Sequence, residues 1–180
     1  YARSHPGEVN YGTSGPGSFA HMAGEWLGSM SGTKYTFVPY KGLGDALLGV
    51  ASGQIHVTAT AVTSSMPFVK SGKLKALGIA GFKRWTQLPD VATIAETVPG
   101  YEARLWNCVL ATAGTPRPVI LRLNAAVAGG GNYPDIRTKF GNAGVDIETG
   151  TPEELGSYIE AEIRKWARVI KEAGIKAEED

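Results

Sequence analysis

Cysteine is almost absent: Cys108 is the single one in 180 residues, which excludes an internal disulfide and a cysteine-rich metal site. Its run, L-W-N-C-V-L-A, reads as a strand with the thiol buried as a small apolar group. Histidine is scarce as well. The three present (His5, His21 and His56) share no helix face or close spacing, so metal binding has no ligand pair to start from. Net charge is nearly nil, +1 from 18 basic and 17 acidic residues, which argues against a polyphosphate surface as the main partner and so against nucleic acid. No run of 18 apolar residues occurs, so no membrane span is expected. The opening Y-A-R-S-H-P-G-E lacks a basic segment followed by an apolar one, so no export signal is visible, and the chain reads as processed or as part of a longer product.

What is plentiful is glycine, 24 residues of it, beside 10 prolines and a hydrophobic fraction of 43%, a composition that suits a packed α/β domain with many tight loops. Glu8 to Tyr11 is a short strand candidate, and Phe19, Met22, Ala23, Trp26, Leu27 and Met30 fall at helical spacing in a helix that ends near Gly32. The unit then repeats, with a strand at Tyr35 to Val38 and a helix stopping at Gly53. Further strands are expected at Ile55 to Thr60 and Leu74 to Ala80, with a short helix between them around Ser64 to Lys70. Strands alternating with helices imply crossovers and a mostly parallel sheet, whose ligands lie at the carboxyl ends of the strands.

Beyond Phe82 the pattern loosens into a long connection with one short helix near Thr93 to Thr97. Leu105 to Thr112 reads as another strand, and Pro116 and Pro118 open a helix that should stop at Gly129, because each glycine inside a helix costs ~1 kcal/mol relative to alanine. In the last helix Thr151 and Glu154 form a capping-box pattern, Pro152 takes the first position and Gly174 closes it. Its apolar stripe is Leu155, Ile159, Ile163, Trp166 and Ile170, which is core packing rather than a cofactor site.

The stretch most open to a functional reading is Y-G-T-S-G-P-G-S, residues 11 to 18. It is not a nucleophile elbow, because Pro16 stands where G-x-S-x-G needs its second glycine. It lacks the G-K-[ST] ending of a phosphate loop, and glycines at 12, 15 and 17 are out of register for a dinucleotide turn. What remains is the physics those motifs share: exposed N–H groups and a helix start that favour an anion, here a carboxylate. Thr13, Ser14 and Ser18 add hydroxyls, and Gly15 and Gly17 permit close backbone approach. The plainer reading is that Ser14 or Ser18 only caps the helix, worth ~1 kcal/mol. The next junction, V-P-Y-K-G-L-G-D, offers Tyr40, Lys41 and Gly42, and Thr60 ends the third strand. Two such junctions suit a ligand with more than one carboxylate, although Lys41 reads equally well as a solvated surface residue. A small serine hydrolase using Ser14 or Ser18 with His21 is the competing reading; it lacks an evident carboxylate to orient the imidazole. An effector-sensing regulatory domain is a third.

The ordered run V-N-Y-G-T-S-G-P-G-S-F-A-H-M-A-G-E-W, F-V-P-Y-K-G, G-Q-I, F-V-K-S-G-K-L-K-A-L-G-I, L-P-D-V-A-T-I-A-E, A-G-T-P, T-P-E-E-L and K-W-A-R-V-I-K-E-A-G-I resembles the Bug-type solute-binding receptors of tripartite tricarboxylate transporters, from about Gly7 to Ile175. The resemblance implies a type II periplasmic binding-protein fold without enzymatic activity or cofactor. It further implies capture of a small organic acid and delivery to membrane transporter subunits. Thr13 to Ser18 with Tyr40, Lys41 and Gly42 become the ligand-side loops. The chain departs from its relatives in lacking their N-terminal stretch. It is therefore expected to hold one complete lobe in residues 1–105, with 106–180 returning into an incomplete first lobe. Apolar surface left exposed on the C-terminal helices would favour a homodimer or a rearrangement. Where relatives carry an aspartate after G-Q-V and an F-D-N-like stretch, His56 and Ala59 to Ala61 stand here, so nothing is provided for a ligand ammonium.

Overall fold

The structure, a computed structural model, describes residues Tyr1–Ile175. In chain order they form β1 (Val9–Thr13), α1 (Phe19–Ser31), β2 (Tyr35–Pro39), α2 (Leu43–Ala51), β3 (Val57–Thr58), α3 (Val62–Lys70), a 3₁₀ turn (Ile94–Glu96), α4 (Arg117–Gly131), α5 (Pro134–Asn142) and α6 (Pro152–Ala173). The chain divides into two compact units, one of residues 1–105 joined by the chain from Trp166 onward, the other Trp106–Lys165.

In the first unit the glycine-rich turn leaves the middle of a parallel sheet ordered β2-β1-β3. Val9 to Thr13 pair in register with Tyr35 to Pro39 on one side, and Tyr11 and Gly12 with Val57 and Thr58 on the other. Parallel neighbours need crossovers, and α1 and α2 supply them. Helix α1 lies close because its inner face is small: Ala20, Ala23, Gly24 and Gly28 are buried beside Trp26. It ends where Gly32 enters the left-handed region at φ 67° and returns its N–H to the Gly28 carbonyl.

The core of this unit gathers Ala23, Trp26, Tyr101, Ala103 and Val169, with Trp166 packed against it. Trp26 meets Tyr101 and Trp166 with ring centroids 5.3 Å and 5.6 Å apart, and the buried Tyr101 hydroxyl donates to the Ala23 carbonyl at 3.0 Å. The second unit holds α4, α5 and the first part of α6. There Asn124 Nδ2 donates to the Gly150 carbonyl, and the buried Glu162 pairs with Lys165 and accepts from Trp106 Nε1 at 3.3 Å.

Several expectations are corrected. Leu74 to Ala80 forms no strand; its one bridge joins Ile79 to Thr93, and Ala80 accepts from the Ala103 N–H, so the segment's bonds go to irregular chain. Leu105 to Thr112 is no strand either, since no described strand stands beside it, and Cys108 on it is exposed rather than buried. Helix α4 runs through Gly129 and Gly130 to Gly131, and α5 follows, a helix the sequence reading passed over. The third strand shrinks to two residues. On α6 the inward face is rotated from the expected stripe: Ile163 and Ile170 are exposed, whereas Glu162 and Val169 are buried. The capping box survives, with Thr151 and Glu154 exchanging backbone-to-side-chain bonds at 2.7 and 3.1 Å.

Candidate functional site

The three strands are parallel, so their carboxyl ends open side by side. Ser14 to Ser18 follow β1 in the centre, Tyr40 to Gly42 follow β2, and Ala59 to Ala61 follow β3. All nine residues singled out in the sequence therefore lie along one edge of one sheet. The Tyr40 N–H donates to the Thr13 carbonyl at 2.8 Å, which ties the first two ends together.

The hydroxyls of this edge divide into two groups. Thr13 is buried, and its Oγ1 accepts the Gly15 N–H at 3.3 Å. Ser18 caps α1, its Oγ accepting the His21 N–H at 3.4 Å. Both hydroxyls hold the turn in shape. Ser14 and Thr60 are half-buried and make no side-chain hydrogen bond among the described residues. Gly15 and Gly17 sit at φ 106° and 69°, a region that side chains rarely adopt, and a Cβ on either would meet nothing within 4 Å. Glycine is needed there for its backbone alone.

The helix starts differ in the same way. Helix α1 has a side-chain cap; α2, preceded by Gly42, and α3, preceded by Ala61, have none. The N–H groups that open them, Leu43 to Asp45 in α2 and Val62 and Thr63 in α3, have no intrahelical partner and carry the positive end of the helix dipole, whereas Ser64 already donates to the Ala61 carbonyl at 3.1 Å. Lys41 is exposed beside them. The Tyr40 ring turns away toward α2, where its hydroxyl lies 2.5 Å from the place a Cβ on Gly49 would take.

His21 is more tightly held than its position suggests. Its Nδ1 accepts the Gly17 N–H at 3.0 Å, and its Nε2 lies 3.6 Å from Glu25 Oε1. Burial raises the Glu25 carboxyl above its ordinary range, and the neighbouring His21 pulls it partly back. Glu25 is the residue the sequence reading missed. The H-x-x-x-E spacing on an expected helix was its signal, since residues four apart share a face. This geometry overturns the hydrolase alternative: one imidazole nitrogen is occupied by a backbone N–H, the other faces Glu25, and Ser18 bonds the His21 backbone instead of its ring. No three of His, Cys, Asp and Glu gather as a metal site among the described residues. A separate hollow on α2 and α3, lined by Asp45, Leu48, Phe68 and Lys73 among others, shares no residue with the strand-end set.

Among solved structures the chain is similar to Rpa4515 of R. palustris, determined with adipate, at 38% identity and a TM-score of 0.84, covering 97% of this chain and 59% of that one. It is similar to MatC (Rpa3494) of Rhodopseudomonas palustris with bound malate at 30% identity and TM-score 0.75, covering 94% of this chain and 59% of the other. The periplasmic binding protein BugD matches at 26% and 0.80, with 98% and 60% covered. Among curated relatives, the UPF0065 protein in the tcbD-tcbE intergenic region of Pseudomonas sp. (strain P51) is 32% identical over 178 residues, which are 98% of this chain and 53% of that protein. The chain thus spans about half the length of most of the curated relatives it matches. Its fold is that of periplasmic binding proteins, and the family described as the tripartite tricarboxylate transporter family receptor, one of receptors and not of enzymes, matches residues 1–175. With that match over nearly its whole length, the chain belongs to the TctC family of tripartite tricarboxylate transporter receptors.

Proposed function

We propose that this chain is the acid-recognising part of an extracytoplasmic, periplasmic receptor that captures a small organic carboxylate for a tripartite tricarboxylate-type transporter. The observation that carries this reading is the shared sheet edge, where a glycine-rich turn stands between two helix starts that no side chain caps. Thr13, Gly15, Gly17 and Ser18 shape the turn, Ser14 and Thr60 offer hydroxyls, and Tyr40, Lys41 and Gly42 bring a strand end, a cation and a helix start. A hydrogen bond to a charged group is worth about 1.5–3 kcal/mol, and an anion at a helix start gains about 0.3–1 kcal/mol more. Two such starts favour an acid with two carboxylates over one with a single charge. The adipate and malate in the related structures fit that class. Binding is capture without chemistry: no bond is made or broken, and release to membrane subunits completes the cycle.

The test is a thermal-shift screen of the chain against mono-, di- and tricarboxylates, repeated with Ser14→Ala. A dicarboxylate should raise the melting temperature most. The substitution should weaken its affinity by roughly ten- to a hundredfold, as about 1.5–3 kcal/mol for one hydrogen bond to a charged group requires. A folded chain that no acid stabilises would overturn the proposal.

A further inference from the structure

His21 stands at the third position of α1, with its ring folded back over the turn. The Ser18 hydroxyl receives the His21 N–H, and the His21 ring receives the Gly17 N–H. This is a variant of the capping box: imidazole takes the place of the usual Glu or Gln, and it accepts from Gly17, one residue before the cap, while the Ser18 N–H goes to the Gly15 carbonyl at 3.2 Å. A ring nitrogen that accepts an N–H carries no proton, so the ring proton sits on Nε2, facing Glu25. Phe37 of β2 meets the ring edge-on, centroids 4.7 Å apart. Glu25 is the one charged group within ion-pair range of His21 among the described residues; β2 brings the uncharged Phe37, and the turn brings no titratable side chain.

Histidine changes charge between about pH 5 and 8. When Nδ1 gains a proton it becomes a donor pointed at another donor, and Gly17 loses its acceptor. Protonation takes the His21–Glu25 pair from a net charge of −1 to 0, which by itself favours an anion. The ring then follows Glu25, four residues further along α1 and away from the turn, so the loss of the Gly17 bond decides the sign. The half-buried carboxylate, otherwise costly to ionise, gains a partner in exchange. Protonation therefore transfers His21 from the turn to Glu25.

We propose that His21 is a positioning residue which makes ligand capture pH-dependent: neutral, it clamps the glycine-rich turn through Gly17, and protonated it releases the turn and weakens the site. This rests on the reading of the turn as a carboxylate site. Two measurements on the ¹⁵N-labelled chain separate the two ideas. The first follows the Gly17 amide and the His21 ring by NMR without ligand from about pH 5.5 to 8.5. The second follows malate binding by calorimetry over the same range, in the wild type, His21→Asn and His21→Ala. Asparagine places Oδ1 where Nδ1 stands and does not titrate, so it keeps the clamp at every pH.

The Gly17 amide should titrate with the imidazole. Wild-type affinity for malate should fall about fivefold on acidification, the worth of one backbone hydrogen bond. His21→Asn should show only the change due to malate's own ionisation, and His21→Ala should be weak throughout. A Gly17 amide indifferent to the imidazole overturns the clamp. Identical pH profiles for wild type and His21→Asn overturn its control of binding. Absence of binding by the folded chain at every pH, with malate and with every other acid of the thermal-shift panel, overturns the carboxylate reading and the coupling with it, whereas the amide titration still decides the clamp.

Discussion

A methyl group added at Gly24 and one added at Gly129 should act in opposite directions, though both glycines lie inside helices. Each substitution by alanine gains about 1 kcal/mol of helix propensity. At Gly24 a Cβ would come within 2.7 Å of the Phe37 ring and 3.0 Å of the Tyr11 ring, and those rings lock against each other with centroids 5.4 Å apart. Overpacking of this kind costs about 1–3 kcal/mol, so Gly24→Ala should lose up to about 2 kcal/mol net. At Gly129 nothing lies within 4 Å, and the propensity gain should survive nearly whole. Denaturant midpoints check both; a rise in both would mean that α1 does not press on the sheet. The hydroxyls teach the same lesson at this scale. Thr13, Ser14, Ser18 and Thr60 look alike as donors in the sequence, and only folding shows that Thr13 and Ser18 are spent on holding the turn.

At the scale of elements, the 3₁₀ turn Ile94–Glu96 is held by an exchange that acid should undo. Glu96 accepts from Arg84 at 2.6 and 2.9 Å and from the Thr93 N–H at 2.9 Å. Chiefly through Arg84, these bonds lower its carboxyl from 4.5 to about 2. A carboxyl depressed in the folded state adds stability that is fully present above its unfolded value and is lost as pH falls through its folded one. The melting temperature of the wild type should therefore drop more steeply between pH 4.5 and about 2 than that of Glu96→Gln. The pair is exposed, so the difference should be small; parallel curves would show that it contributes nothing. The elements legible in the sequence were those with local signals, such as Ser18 and Gly32 around α1 or Thr151 and Glu154 at α6. Leu74 to Ala80 and Leu105 to Thr112 misled because a β-rich composition does not provide a neighbour to pair with. The α6 stripe misled because which side of the helix faces inward depends on Trp26 and Tyr101, far away in sequence. The strand-end residues could be assembled from the alternation of elements alone, whereas the His21–Glu25 pair needed the helix to be drawn.

At the scale of the whole chain, the two units are built to different standards. Residues 1–105 with the end of α6 hold a three-stranded sheet and a cluster of buried aromatics. Residues 106–165 bury only Gly131 and Glu162, and they leave Val109, Leu110, Val127, Phe140 and Ile163 in solvent. A helix with few buried contacts has little to set against its conformational entropy, so it should open far below the cost of global unfolding. Native-state hydrogen exchange tests this directly. Amides in the middle of α4 should exchange at least about tenfold faster than those of Tyr11 and Gly12 in β1, and an apolar dye should bind the chain while the sheet remains protected. Equal protection of α4 and β1 would mean that the stretch is held as firmly as the sheet, and that its exposed aliphatic side chains do not mark a weak unit. If the inequality is found, ligand stabilisation should appear in the sheet-edge amides first, because Ser14 and the starts of α2 and α3 all belong to the firmer unit. An acid that protects α4 more than β1 would place the ligand's grip elsewhere.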